Sequence, residues 1–188
     1  HIYEVTAESV SPAAESLAPG QREPDLELPN FTLLPCLIEA HAHLFLQGGS
    51  VDLEERKSYL QLPPDELLAN ARARWPAILQ CGVGTVRDAG DKDGVGLALA
   101  AAAKKKCGQL SATPWIDSPG AAIHHRGRYG SFMGRPLEEH ASLDDCVADR
   151  IQAGADRIKL LVSGFIDFRA GDVTVPPQMS TDEVAAIC

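Results

Sequence analysis

The sequence lacks several features that mark particular classes of protein. No apolar run approaches the roughly 18 residues that a membrane-spanning helix needs. The five cysteines stand far apart without a C-x-x-C pair, which favours reduced thiols over a disulfide framework. No basic-then-apolar segment of the secretory type opens the chain. We therefore expect a cytoplasmic protein that is not inserted in a membrane.

Basic clusters and aromatic residues are also scarce. The formal net charge is −9, and only 5% of the residues are aromatic. Nucleic-acid binding needs clustered cations that neutralise phosphates. The one cationic run, at 104–106, follows an alanine-rich segment and suits the C-terminal end of a helix. The composition predicts a globular protein with an aliphatic core that does not bind nucleic acid.

What the sequence does contain is an alternation of short apolar runs and amphipathic segments. Predicted strands lie at 33–40, 84–89, 112–118 and 157–162, and predicted helices lie at 66–80, 94–107, 143–153 and from Thr181 onward. Pro76 should bend the first of these helices, and Ser180 with Glu183 should cap the last. Residues 119–140 are expected to form a long loop. This alternation indicates a parallel sheet covered by helices, and four such units are half of a (β/α)8 barrel.

The first 30 residues differ from the rest. Proline and glycine interrupt them repeatedly, and only residues 2–5 and 26–28 have the pattern of short strands. This segment is expected to be the remnant of a small β domain. The regular alternation begins after it.

Two histidines, His41 and His43, follow the first predicted strand. Residues i and i+2 of a strand project to the same side, roughly 6.6 Å apart. Both imidazoles can therefore reach one metal ion at about 2.0–2.1 Å each. Active sites of parallel barrels form at the C-terminal ends of the strands. The position indicates a metal site, although the spacing alone also suits ordinary surface or core histidines.

Three segments, in order, resemble motifs of the amidohydrolase superfamily. Residues 35–44 (PCLIEAHAHL) resemble the P-G-L-I-D-x-H-x-H-L segment that opens its barrel. Residues 82–90 (GVGTVRDAG) resemble G-x-T-T-V-R-D-x-G, and residues 154–160 (GADRIKL) resemble G-A-D-x-I-K, both from its imidazolonepropionase-like and prolidase-like branch. Cys36 and Glu39 depart from the first motif, where Gly and Asp are usual. By parity Cys36 faces away from the histidines, so we do not expect it to bind metal.

The resemblance implies an α/β fold, namely the first half of a (β/α)8 TIM-type barrel at 31–188 preceded by a β-sandwich remnant at 1–30. It also implies a metal-dependent hydrolase that cleaves a C–N bond in a cyclic amide, N-acyl or dipeptide-like small molecule through a metal-activated water. His41 and His43 would bind the metal, with zinc as the default. A carboxylated Lys159 would bridge two ions, although a lysine at a strand end also suits a snorkelling side chain or an ion pair.

Other parts of the expected site lie outside this sequence. The superfamily takes two more metal-binding histidines and a catalytic aspartate from later strands, so we expect the aspartate beyond Cys188 and no catalytic residue before it. The 188 residues alone should be inactive. The other half of the barrel would come from the same or another chain, and assembly into a homo-oligomer stays open. The rival hypothesis is a non-catalytic half-barrel that binds a ligand or partner without turnover.

The predicted loop 119–140 follows the third strand and should cover the mouth of the barrel. His125, Arg128 and Tyr129 give it a composition that suits a substrate carboxylate, and Ser163 should shape the pocket near Lys159. An exposed loop without such a role is the other interpretation. Asp88, at the end of the second strand, is expected either to support the metal site or to form a structural ion pair with Arg87 or another residue.

Overall fold

The computed structural model describes residues 3–5, 10–12, 29–105, 113–167 and 169–188. Strands in these ranges are β1 Tyr3–Val5, β2 Val10–Pro12, β3 Leu37–Ala42, β4 Val83–Asp88, β5 Trp115–Asp117, β6 Phe165–Asp167 and β7 Asp172–Val175. Helices are α1 Leu53–Tyr59, α2 Pro64–Ala73, α3 Trp75–Gln80, α4 Val95–Lys104, α5 Leu143–Gln152 and α6 Thr181–Ile187. Two short 3-10 turns, Ser131–Met133 and Leu137–Glu139, lie between β5 and α5. No helix in the described ranges has the length and apolar character to cross a membrane.

A three-stranded parallel sheet, in the order β3-β4-β5, organises the larger part of the chain. The alternation of its strands with helices makes this part α/β, as the sequence predicts. Helix α3 packs against β4, α4 packs against β5, and α2 packs against α3 and α4. The core between these elements includes Leu67, Trp75, Leu99 and Ile116. The core is therefore built on the two later strands of the sheet.

The first strand of this sheet differs from its prediction in position and burial. β3 begins at Leu37, where the backbone N–H donates to the carbonyl of Gly82 at 2.8 Å, because Pro35 has no N–H to offer a ladder. The strand was expected to be buried, yet Leu37 is 59% and Ile38 68% exposed. Only β4 pairs with β3 in the described ranges, so β3 is an edge strand there.

The pairing of β3 with β4 contains two bulges. Leu37 lies opposite Val83 and Ile38 opposite Thr85, which leaves Gly84 as an extra residue in β4. Further along, Glu39 lies opposite Val86 and Ala42 opposite Asp88, so β3 has one extra residue between Glu39 and Ala42. Bulges bend a strand and redirect its side chains. The second bulge lies in the part of β3 that contains His41.

The fourth predicted strand, 157–162, is wrong as a regular strand. One parallel bridge joins Leu160 to Ile123, with N–H groups of Ile123 and Leu161 donating to the carbonyls of Lys159 and Ile123 at 2.8 and 3.1 Å. Its partner segment, just after β5, contains Pro119 and has Gly120 at φ 61°. The resulting turn removes the extended backbone that a longer ladder needs.

The helices agree with their predictions better than this strand does. The predicted bend at Pro76 is confirmed, because α2 ends at Ala73 and α3 begins at Trp75. A capping box opens α6, with the Ser180 side chain accepting from the Glu183 N–H and the Glu183 side chain accepting from the Ser180 N–H, as predicted. Helix α5 begins where expected, and the end of the segment predicted for α4 lies outside the described residues. Helix α1 and the antiparallel pair β6–β7 were not predicted.

At the start of the chain, β1 and β2 form an antiparallel pair. The strand predicted at 2–5 agrees with β1, whereas the one predicted at 26–28 lies outside the described residues. A β-sandwich remnant over 1–30 stays a prediction.

Candidate active site

His41 and His43 lie together at the C-terminal end of β3. His41 is within the strand and exposed, and His43 follows the strand and is half-buried. Their ring centroids are 5.6 Å apart, with the planes at 72°. The two imidazoles are thus close neighbours at a strand end, which is where the sequence predicts a metal site.

The ring of His43 is held in one orientation by the loop after β4. Its Nδ1 lies 2.9 Å from the carbonyl oxygen of Gly90. Since a carbonyl can only accept, the hydrogen bond requires a proton on Nδ1. In the neutral ring this leaves Nε2 with a lone pair. Metal-binding histidines commonly use this arrangement, in which the second nitrogen donates to a carbonyl or carboxylate.

Lys159 lies near this pair. Burial has the largest effect on the pKa of His41 and lowers it. The charges of Lys159 and His43 lower this pKa further, whereas the negative charge of Glu39 raises it. Lys159 directly precedes Leu160, which forms the bridge with Ile123, and the carbonyl of Lys159 accepts from the Ile123 N–H at 2.8 Å. Lys159 therefore lies close enough to His41 for its charge to act there, and its role as a metal ligand stays a prediction.

These side chains do not make a complete metal site by themselves. Within the described ranges, no group of three or more His, Cys, Asp or Glu side chains is placed to hold a metal ion. A stable divalent site needs about four or more ligands, some of which can be water. The two imidazoles fit a divalent metal in chemistry and spacing, and the remaining donors would have to come from Lys159, water or other parts of the protein.

Asp88 supports the backbone around His43. Its buried carboxylate accepts from the N–H groups of Leu44 at 3.1 Å and Gly90 at 3.2 Å, and from the Ser118 hydroxyl at 2.7 Å. Burial has the largest effect on the pKa of Asp88 and raises it, whereas these three hydrogen bonds act to lower it. Asp88 forms no ion pair with Arg87 or with any other residue in the described ranges. Asp88 thus connects the ends of β3, β4 and β5, and the role of Ser118 had no signal in the sequence.

A cavity of about 340 Å³ opens beside His43. One wall comes from the predicted loop 119–140, through Tyr129 and Phe132, whose ring centroids are 5.3 Å apart in an edge-to-face contact. The opposite wall comes from α1 and the segments on either side of it. The other lining residues are Leu46, Gln47, Ser50, Glu55, Arg56, Tyr59 and Leu60. Sequence reasoning missed this wall, although Asp52 followed by Glu55 is a helix-start signal that could have located α1.

Tyr129 is the one residue of the predicted substrate-binding set that lines this cavity. Both ring nitrogens of His125 lie within hydrogen-bond distance of carboxylates, Glu138 at 2.7 Å and Glu183 at 3.0 Å. The Arg128 guanidinium donates to two backbone carbonyls, at 176 and 177, at 3.3 and 3.2 Å. Ser163 is exposed after the predicted fourth strand. The substrate roles of all four residues stay predictions.

Gln178, which sequence reasoning also missed, joins three segments. Its side-chain oxygen accepts from the His125 N–H at 3.0 Å, and its amide nitrogen donates to the carbonyl of Tyr129 at 3.1 Å. Its backbone N–H donates to the carbonyl of Val162 at 2.9 Å. Gln178 is buried, so these bonds are shielded from water and fix the backbone of Tyr129 relative to the cavity.

Comparison with known proteins found similarity among solved structures. No family model and no curated protein matches the sequence. An amidohydrolase structure matches with a TM-score of 0.58 and 22% identity over 86% of this chain and 43% of its own. A Xaa-Pro dipeptidase with methionine in its active site matches with a TM-score of 0.60 and 22% identity, over 81% and 39%. An ochratoxinase from A. niger matches with a TM-score of 0.56 and 21% identity, over 81% and 39%.

The chain shares the fold of these structures. The resemblance predicted from the three motifs is therefore confirmed at the level of the fold. The chain spans about two-fifths of the length of the structures it matches, since the covered shares of those structures are 39–43%.

Proposed function

We propose that this chain is the front half of a (β/α)8 barrel in a metal-dependent hydrolase that cleaves a C–N bond. The substrate is a cyclic amide, N-acyl or dipeptide-like small molecule. The observation that carries the proposal is the pair of imidazoles at the end of β3, where the His43 ring is oriented by the carbonyl of Gly90 beside a cavity. The matched structures, an amidohydrolase and a Xaa-Pro dipeptidase, add support for this reaction class.

In this proposal His41 and His43 hold a divalent metal, with zinc as the default for histidine and carboxylate-type ligands. Lys159, carboxylated on its amine, completes the set and allows a second ion. A bound divalent metal lowers the pKa of water and polarises a carbonyl. Asp88 keeps the Gly90 carbonyl in place and so maintains the orientation of the His43 ring. The aromatic rings of Tyr129 and Phe132, which line the same cavity as His43, would limit the access of bulk water to it.

The remaining strands of the barrel, from the same or another chain, would supply the other ligands and the acid–base residue. One of these strands would pair with β3, because β3 has an unpaired edge among the described residues. A cytoplasmic location fits this proposal, since the cysteines described are free thiols.

Metal content and hydrolysis by the full-length protein test the metal site. We expect His41→Asn and His43→Asn each to lower metal affinity and kcat/KM by at least about 100-fold. Loss of a residue that only orients a metal ligand already lowers metal affinity or activity by about 10- to 100-fold, and loss of the ligand itself should cost more. His140→Asn is the matched control, since His140 lies beside Arg135 and does not line the cavity. Elemental analysis and an assay with N-acyl amino acids provide the readouts. Unchanged metal content in both ligand variants would refute the proposal.

Lys159 is tested separately by carbon-13 bicarbonate labelling. The wild-type protein should show a carbamate signal when metal is present, and Lys159→Arg should lose it because a guanidinium is not carboxylated. Lys159→Ala with full metal content and full activity would show that Lys159 is not a ligand.

A further inference from the structure

The wall of the cavity formed by α1 has no part in the proposed metal site. We propose that Arg56 is a specificity residue that binds the carboxylate of the substrate, while Tyr129, Phe132 and Leu60 contact an apolar side chain next to that carboxylate. This inference rests on the proposed hydrolytic function and narrows it. The favoured substrates are N-acyl amino acids or dipeptides with a large apolar C-terminal residue, rather than neutral cyclic amides.

The position of Arg56 on α1 directs it to the cavity. Helix α1 begins after Asp52, whose side chain accepts from the Glu55 N–H at 2.8 Å. Arg56, Tyr59 and Leu60 are spaced by three and four residues and so lie on one side of this turn, and all three line the cavity. These three residues therefore form the side of α1 that meets the cavity lined by His43.

The charged residues next to Arg56 in α1 have side-chain partners, whereas Arg56 has none among the described residues. Lys57 pairs with Glu54 at 2.7 Å, and the Glu55 carboxylate accepts from the Ser50 hydroxyl at 2.6 Å. The Arg56 side chain makes no hydrogen bond or ion pair with any other residue that the structure describes. A guanidinium presents a planar set of donors that suits a carboxylate in a bidentate geometry. Glu55, on the same wall, disfavours a ligand with a second negative charge.

The rest of the cavity suits an apolar group. Tyr129 and Phe132 form an edge-to-face pair on one side, and Leu46 and Leu60 lie on the other. A volume of about 340 Å³ lies at the lower end of the range for small-molecule sites, about 300–1,000 Å³. This space is large enough for one amino-acid residue, and His43 is one of its lining residues. In the proposed function the bond to be cleaved would lie beside His43.

Steady-state kinetics of the metal-loaded, full-length protein test the subsite. The substrates are N-acetyl-phenylalanine and its neutral counterpart N-acetyl-phenylalanine amide, each followed by release of acetate. We expect Arg56→Gln to raise KM for the carboxylate substrate by about 10- to 100-fold, the range for a lost charge-assisted hydrogen bond. The values of kcat, and of KM for the neutral substrate, should stay within about twofold. Arg56→Lys should recover part of the loss, because it restores the charge without the planar donors.

The matched control is Arg72→Gln, since Arg72 is an exposed arginine of α2 that does not line the cavity. It should behave as wild type with both substrates. Equal KM effects of Arg56→Gln on the charged and neutral substrates, or no effect on either, would overturn the assignment of Arg56.

Calorimetric binding of free phenylalanine separates this inference from the proposed function. Phenylalanine should bind at least about tenfold more weakly to Arg56→Gln than to wild type or Arg72→Gln. If the wild type hydrolyses neither substrate but binds phenylalanine in an Arg56-dependent way, the hydrolytic function fails and the subsite stands. If it hydrolyses N-acetyl-phenylalanine and Arg56→Gln changes neither KM nor binding, the subsite fails and the hydrolytic function stands.

Discussion

Gly84 and Cys36 meet across the two strands that support the candidate site. A Cβ added to Gly84 would lie 2.5 Å from the Sγ and 2.7 Å from the Cβ of Cys36. In the motifs that the sequence resembles, the position of Cys36 is Gly and that of Gly84 is Thr. The absence of a side chain at Gly84 therefore leaves room for the Cys36 side chain, at a bulge in the β3–β4 pair.

We therefore predict that Gly84→Ala lowers the free energy of unfolding by about 1–3 kcal/mol, the usual cost of overpacking. Adding Cys36→Gly should recover most of that loss, which a double-mutant cycle in urea would measure as a coupling energy. Gly48→Ala is the control, because a methyl group added at Gly48 would have no other atom within 4 Å. A double variant no more stable than Gly84→Ala would show that the two residues do not compete for space.

At the level of elements, the loop between β5 and α5 is tied to α6 by charged groups. His125 lies between Glu138 of the second 3-10 turn and Glu183 of α6. Burial acts to raise the pKa of Glu138, but hydrogen bonds from His125 and the Arg126 N–H lower it to about 2. Hydrogen bonds from the Ser180 N–H and hydroxyl hold the pKa of Glu183 low as well. The ionised carboxylates therefore stabilise the loop that contains Tyr129.

The pH dependence of stability should reveal this tie. Because the pKa of Glu138 falls from an ordinary 4.5 to about 2 on folding, its contribution is complete above pH 4.5 and is lost as the pH falls towards 2. The difference in unfolding free energy between wild type and Glu138→Gln should have its full value above pH 4.5, at about 0.5–1 kcal/mol for an exposed pair. It should shrink steadily below pH 4.5. Denaturant unfolding at several pH values measures it, with Glu54→Gln as the surface control, and a difference independent of pH would contradict the prediction.

At the level of the whole molecule, apolar side chains remain exposed at the edge formed by β3 and the segment before it. Phe31 is 76%, Leu34 71% and Ile38 68% exposed, and β3 has no second neighbour in the described ranges. Unpaired strand edges with exposed apolar groups recruit other strands. In the proposed barrel, later strands would cover this edge.

We predict that these 188 residues, expressed alone, self-associate and hydrolyse no amide substrate. Light scattering at several protein concentrations gives the mass in solution, and an assay with N-acyl amino acids gives the activity. Ile38→Lys should reduce association, because a charge on an edge strand opposes pairing. Val51→Lys should not, since Val51 is 92% exposed but is not part of β3. A stable monomer that turns over substrate would defeat the prediction.

The sequence by itself determined the features that depend on near neighbours in the chain. The bend at Pro76 and the capping box of Ser180 and Glu183 follow from contacts within four residues, so local patterns predict them. The three motifs also predicted the shared fold and the position of His41 and His43 near a strand end. These predictions needed no knowledge of which segments meet in space.

Only the tertiary structure decided how distant segments meet. The two bulges in the β3–β4 pair arise because β3 pairs with a strand about 45 residues later. His125 is bound to Glu183, 58 residues away, and Tyr129 lines a cavity whose opposite wall is a helix missing from the prediction. The fourth strand shortened to one bridge because Pro119 and Gly120 turn its partner. Hydrogen bonds and packing between such segments depend on their arrangement in space, which hydrophobic periodicity does not encode.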